Sequence, residues 1–123
     1  MSKNNLPDEH YLQIEEIVNS FCNQLKKDAS MTGVELEDDL FNAPFTLSEM
    51  INRLHQKVQQ IIATNSGIEK IQSWLYRVDV SESSIRNNIS GNTKSYSEIV
   101  SEFIVKRTLQ KVVLRYLYKN NSL

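Results

Sequence analysis

Apolar residues recur along most of this chain at alternating spacings of three and four, the period of one face of an α-helix. Tyr11, Ile14, Val18, Phe21 and Leu25 draw the first such stripe, and Ile17 and Cys22 widen it. Pro7 suits a first helical position, Asp8 and Glu9 suit the positive end of the macrodipole, and Lys26 and Lys27 suit the negative end, so a helix is predicted over 7–27. Thr46 and Glu49 form the capping-box signature, with Phe45 and Met50 spaced as a hydrophobic staple. Leu47, Ile51, Leu54, Val58 and Ile61 then continue a helix over 46–64. Ser66 and Glu69 repeat the box after a reversal eased by Gly67, and Ile68, Ile71, Leu75 and Val78 are the expected core face of a helix over 67–78. Ser81 is placed to cap a short helix over 82–89, with Val80 and Ile85 as a second staple, and Ser95 with Glu98 opens a last helix over 95–119.

The last helix differs from the others. Ile99, Val100, Phe103 and Ile104 project to one side, Val105, Leu109, Val112 and Tyr116 lie well round the barrel, and only the line of Ser101, Thr108, Arg115 and Lys119 is wholly polar. A helix apolar over most of its circumference is buried on several sides, which predicts a central position or a subunit interface. Residues 29–45 break the periodicity with Gly33, Pro44 and the acidic group Glu35, Glu37, Asp38 and Asp39. They read as a connector that packs on the bundle through Val34, Leu36, Leu40 and Phe41. The prediction is an all-α fold: a compact bundle of four main helices plus one short helix, forming a single domain over 1–123.

Composition agrees with that class. The chain has 123 residues, 40% hydrophobic and 24% charged, and only three Gly and two Pro, which leaves little material for a sheet-and-turn architecture. No apolar run approaches the ~20 residues of a transmembrane helix and no secretory leader is legible, so a cytoplasmic protein of bacterial type without membrane contact is expected. The single cysteine, Cys22, excludes an intrachain disulfide and falls among apolar neighbours, where a thiol packs as a small hydrophobe. A net charge of −1 argues against a general attraction to nucleic acid.

Candidate chemistry is sparse. His10 and His55 are not paired with other ligands at metal-binding spacing, and the adjacent carboxylates Glu15–Glu16 and Asp38–Asp39 point apart on a helix. No phosphate loop or nucleophile motif occurs, so no catalytic residue, metal or cofactor is assigned and a non-enzymatic role is expected. Arg107, Lys111, Arg115 and Lys119 lie one turn apart and form a basic ridge. The ridge reads either as a footprint for phosphates or an acidic partner, or as cations offsetting the helix dipole against the acidic connector 35–39. The apolar flank of Val105, Leu109, Val112 and Tyr116 is the expected place for a protein partner or a second copy of the chain.

The segment Ile71–Ile89 resembles the helix-turn-helix of bacterial DNA-binding proteins. Val78, Val80, Ile85 and Ile89 match that family's apolar positions, and VSESSIRNNI reads as its recognition helix, opened by Ser81. Leu75 replaces the family's small residue and Asp79 its turn glycine. The resemblance implies that Ser83, Ser84, Arg86 and Asn87 meet the major groove. The function expected first is a helical protein-interaction module or small subunit, with DNA binding through 71–89 as the alternative.

Overall fold

The structure, a computed structural model, describes residues 9–91 and 93–120, without the side chain of residue 90. The described residues form helices joined by turns and one longer connector, with no strand among them. The helices are α1 (Glu15–Ser30), α2 (Leu47–Ile62), α3 (Gly67–Arg77), α4 (Glu82–Ser90) and α5 (Tyr96–Lys119), with two 3₁₀ turns, Glu9–Gln13 and Asp38–Phe41. The all-α bundle with four longer helices and a short one is therefore as expected. None of the helices is long and apolar enough to cross a membrane.

The start of α1 departs from the expected span. Pro7 and Asp8 lie outside the described residues, Glu9 belongs to the 3₁₀ turn, and the backbone resets at Ile14 (φ −95°, ψ 115°) before α1 begins. Glu9 serves a different helix from the one expected, because its carboxylate accepts from the Leu47 backbone N–H at 3.2 Å, at the head of α2. The expected Thr46 capping box is formed there: Glu49 N–H donates to Thr46 Oγ1 (3.0 Å) and Thr46 N–H donates to Glu49 Oε1 (2.9 Å). Three backbone donors that a helix start leaves unpaired are thus satisfied at one place, one of them from a distant segment.

Helix α1 runs to Ser30 and closes in a Schellman turn, with Gly33 N–H on Ser30 O and Val34 N–H on Ala29 O, both at 3.0 Å. Gly33 takes φ 85°, the left-handed conformation that glycine adopts without a Cβ clash. The connector packs on the bundle as expected, with Val34 and Leu36 buried and Leu40 and Phe41 partly buried against the core, and Phe45 is enclosed as well. Its acids lie elsewhere than predicted: Asp38 pairs with Lys26 of α1 (3.0 Å) and Glu37 with Lys57 of α2 (3.2 Å). The Ala43–Pro44 peptide is cis.

Between α2 and α3 the second expected capping box is absent. Ser66 enters α3 with φ 65° and makes no side-chain cap, whereas a capping residue needs extended backbone. The reversal is too tight for it: Gly67 N–H bonds to Thr64 O, and the Gly67 backbone lies against the Ile61 carbonyl. Ile68, expected in the core, is 39% exposed, while Ile71, Trp74, Leu75 and Val78 are enclosed.

Helix α5 is central, packing against α1, α2, α3 and α4. Its capping box is formed, with Glu98 N–H on Ser95 Oγ (3.3 Å) and Ser95 N–H on Glu98 Oε1 (2.8 Å). Two expectations for its faces need correction. Phe103 is only partly buried, and the supposed polar line is polar to solvent only in its last half, because Ser101 and Thr108 are fully enclosed. Their small side chains let neighbouring helices approach, and Ser101 satisfies its hydroxyl within its own helix by donating to Ser97 O at 2.7 Å. Thr108 Oγ1 has no partner among the described residues.

Candidate functional site

The turn between α3 and α4 is a second Schellman motif. Val80 N–H donates to Leu75 O (2.9 Å) and Asp79 N–H to Tyr76 O (3.1 Å), with Asp79 at φ 64° where the helix-turn-helix family places glycine. Aspartate tolerates that region better than most residues, which is how the chain makes the turn without glycine. Ser81 then caps α4 as expected, accepting from Ser84 N–H at 3.2 Å. Of the residues implied by the resemblance, Ser83, Arg86 and Asn87 are exposed, while Ser84 is half-buried with its hydroxyl 2.9 Å from Ser81 Oγ. Arg86 faces Glu82 one turn earlier at 3.6 Å, so α4 offers one base and one acid.

The basic ridge does not form one outward-facing footprint. Arg107 donates through Nε to Val78 O (3.1 Å) and lies 3.8 Å from Asp79, while Lys111 reaches the same carboxylate at 3.5 Å. One turn further, Arg115 donates to Gln24 Oε1 of α1 (3.0 Å) and Lys119 pairs with Glu16 of α1 (2.6 Å). The ridge therefore clamps the α3–α4 turn at one end and α1 at the other, and the acidic connector takes no part.

The apolar flank is also corrected. Val105 and Leu109 are 0% exposed and Val112 is 2% exposed, so these side chains are inside the chain's own core and offer no surface to a partner; Tyr116 is half-buried. Periodicity showed that this face is apolar, and the four neighbouring helices account for it. An open apolar surface lies between α3 and α4, in a groove of about 360 Å³ lined by Ile68, Leu75, Ile85, Ile89 and Tyr96, together with Gln72, Glu82 and Arg86. Ile68 and Ile89 are 39% and 38% exposed, whereas Leu75 and Ile85 are buried. The signal available in the sequence was Ile89, one turn beyond Ile85 on the otherwise polar α4.

Comparison with protein-family models, with curated proteins and with solved structures yields no match to this chain.

The polar residues form local networks. His55 is half-buried and its Nε2 lies 2.9 Å from Ser97 Oγ, as expected of a satisfied histidine, and no group of three or more metal-ligating side chains gathers among the described residues. Burial raises the pKa of the Cys22 thiol, with Lys26 opposing weakly, which keeps the thiol in its unreactive form. Glu102 receives Lys94 (2.9 Å) and Lys106 (2.6 Å). Burial raises its pKa, but the two lysine hydrogen bonds outweigh burial and hold the carboxyl below its ordinary value.

Proposed function

We propose that the chain is a non-enzymatic cytoplasmic interaction module that pairs with a second copy of itself through the α3–α4 face. The observation that carries this reading is the apolar groove with Ile68 and Ile89 exposed along it. Exposed apolar side chains around an already apolar floor are the surface that association removes from water. Charge supports a like partner: Glu82 and Arg86 sit one turn apart on the edge, so two α4 helices meeting antiparallel across a two-fold axis would set each acid opposite the other copy's base. A net charge of −1 opposes the encounter very little.

The experiment is light scattering coupled to size exclusion over loadings from about 1 μM to 1 mM. Growth of a dimer with concentration, abolished by Ile89→Glu, is expected; a monomer at every loading overturns the reading. The second reading, DNA binding through 71–89, draws support from the Asp79 turn. Against it, Arg107, Lys111 and Lys119 already have carboxylate neighbours, and phosphate contacts would have to displace them. Mobility shifts with random genomic fragments at low salt test it, and no retardation at micromolar protein is the expected result.

A further inference from the structure

The α3–α4 face is not the only unexplained surface. A second groove, of about 320 Å³, runs between α1 and α5 over an apolar floor that includes Val112, with Glu16, Ser20, Lys27, Arg115 and Lys119 as its charged and hydroxyl walls. The two helices run antiparallel along it, since Gln24 meets Arg115 while Glu16 meets Lys119.

What distinguishes this groove is the way Arg115 is held. Asp28 of α1 is 3% exposed, and Gln24 donates its amide to both carboxylate oxygens (3.2 and 3.1 Å). Arg77 of α3 approaches the same carboxylate at 3.5 Å. With its NH₂ committed to Asp28, the Gln24 amide can only present its oxygen outward, and Arg115 Nη2 donates to it at 3.0 Å. A buried acid thus fixes an amide, and the amide fixes a guanidinium that has no carboxylate partner among the described residues. Lys27, one turn beyond Gln24, likewise has no carboxylate partner among the described residues. A positioned guanidinium beside a free ammonium, with hydroxyl and amide groups in reach, is suited to an oxyanion, because the remaining guanidinium donors are pre-ordered for planar acceptors.

The geometry points to this groove as a binding site for a small molecule bearing a phosphate or carboxylate group, with Arg115 and Lys27 as the anchoring cations and Gln24 and Asp28 as positioning residues. Its volume falls at the lower end of the range for small-ligand pockets, roughly 300–1,000 Å³.

The test is an amide-resolved NMR titration of the full chain with pyrophosphate and, separately, citrate. Saturable shifts confined to the 16–27 and 112–119 segments are expected; saturation by pyrophosphate alone assigns a phosphate ligand, and by citrate alone a carboxylate. Arg115→Gln, at an exposed position and so folding normally, should weaken binding about tenfold or more, and Gln24→Leu should weaken it with Arg115 still present. Arg86→Gln, in the other groove, should change nothing. Shifts spread over lysines throughout the molecule, no saturation by either anion at millimolar concentration, or unchanged affinity in Arg115→Gln would overturn the assignment.

Discussion

Gly67→Ala separates two physical accounts of the same residue. Helix propensity alone predicts a gain of about 0.5–1 kcal/mol, because alanine restricts the unfolded chain and glycine weakens a helix. The structure predicts the opposite sign. A Cβ at Gly67 would overlap the Ile61 carbonyl oxygen outright and lie 2.8 Å from the carbonyl carbon and 3.0 Å from Ile62 Cα, against ordinary carbon contacts of about 3.5–4.0 Å. All of these atoms are backbone, so no rotamer change relieves the clash. The end of α2 and the start of α3 must separate, which carries Ile61 and Ile71 with them. Forced repacking of this kind costs about 1–3 kcal/mol, and the propensity gain offsets only part of it. A net loss of about 1 kcal/mol is expected, or a fall in Tm of roughly 3–5 °C for a chain of this size. Trp74 is the sole tryptophan and is fully enclosed, so its fluorescence follows urea unfolding directly. The midpoint should fall with the slope unchanged. A midpoint equal to or above that of the parent chain would refute the steric argument.

Thr46→Ala and Ser95→Ala should each lower the urea midpoint by the equivalent of about 1 kcal/mol, as lost N-caps do, and an unchanged midpoint would remove the box concerned from the account. Thr108→Val should raise stability by about 1 kcal/mol, because it replaces an enclosed hydroxyl without a partner by a methyl group; thermal unfolding checks the sign. Asp79→Gly should be more stable than Asp79→Ala by about 1 kcal/mol, since only alanine pays the full left-handed strain at φ 64°, and equal midpoints would deny that strain. Glu102 has a folded-state pKa below its ordinary 4.5, so its stabilising effect is complete above that value and is lost as pH falls through the lower folded value. Glu102→Gln should therefore destabilise the chain at neutral pH and leave the acid-denatured limit unchanged, as a series of urea midpoints against pH would show.

Helix boundaries that depend on local chemistry were legible. At Thr46, Ser81 and Ser95 the capping hydroxyl and the amide it serves lie three residues apart, so the sequence contains both partners. Ser66 carries the same signature and fails, because its backbone is dictated by Gly67 packing on the Ile61 carbonyl. The 3₁₀ turn at Glu9–Gln13 was hidden because Tyr11 and Ile14 keep their apolar neighbours in either kind of turn, and the true role of Glu9 lies 38 residues away at Leu47. Burial of Ser101 could not be read from polarity, since a small hydroxyl enters a helix interface at little cost when its own helix supplies an acceptor, and Thr108 is enclosed even without one. The candidate surfaces were the least legible. Arg115 appeared as one step of a ridge, while what singles it out, the Asp28–Gln24 pair on another helix, is a product of tertiary packing. Ile68 appeared as core because its spacing is that of core.

The central place of α5 sets the order in which the chain can acquire its structure. The apolar faces of α1 and α2, with Phe21, Leu25, Leu54 and Val58, are enclosed together with residues of the final helix, which lies last along the described chain and packs extensively on both. During synthesis these faces emerge before α5 and wait, still wetted, for a neighbour that starts only at Tyr96, well beyond Ser30 and Ile62 where α1 and α2 end, at a translation rate of roughly 5–20 residues per second. A nascent chain halted before Tyr96 is thus a natural client for a holdase, and protease sensitivity should persist until the α5 segment is released.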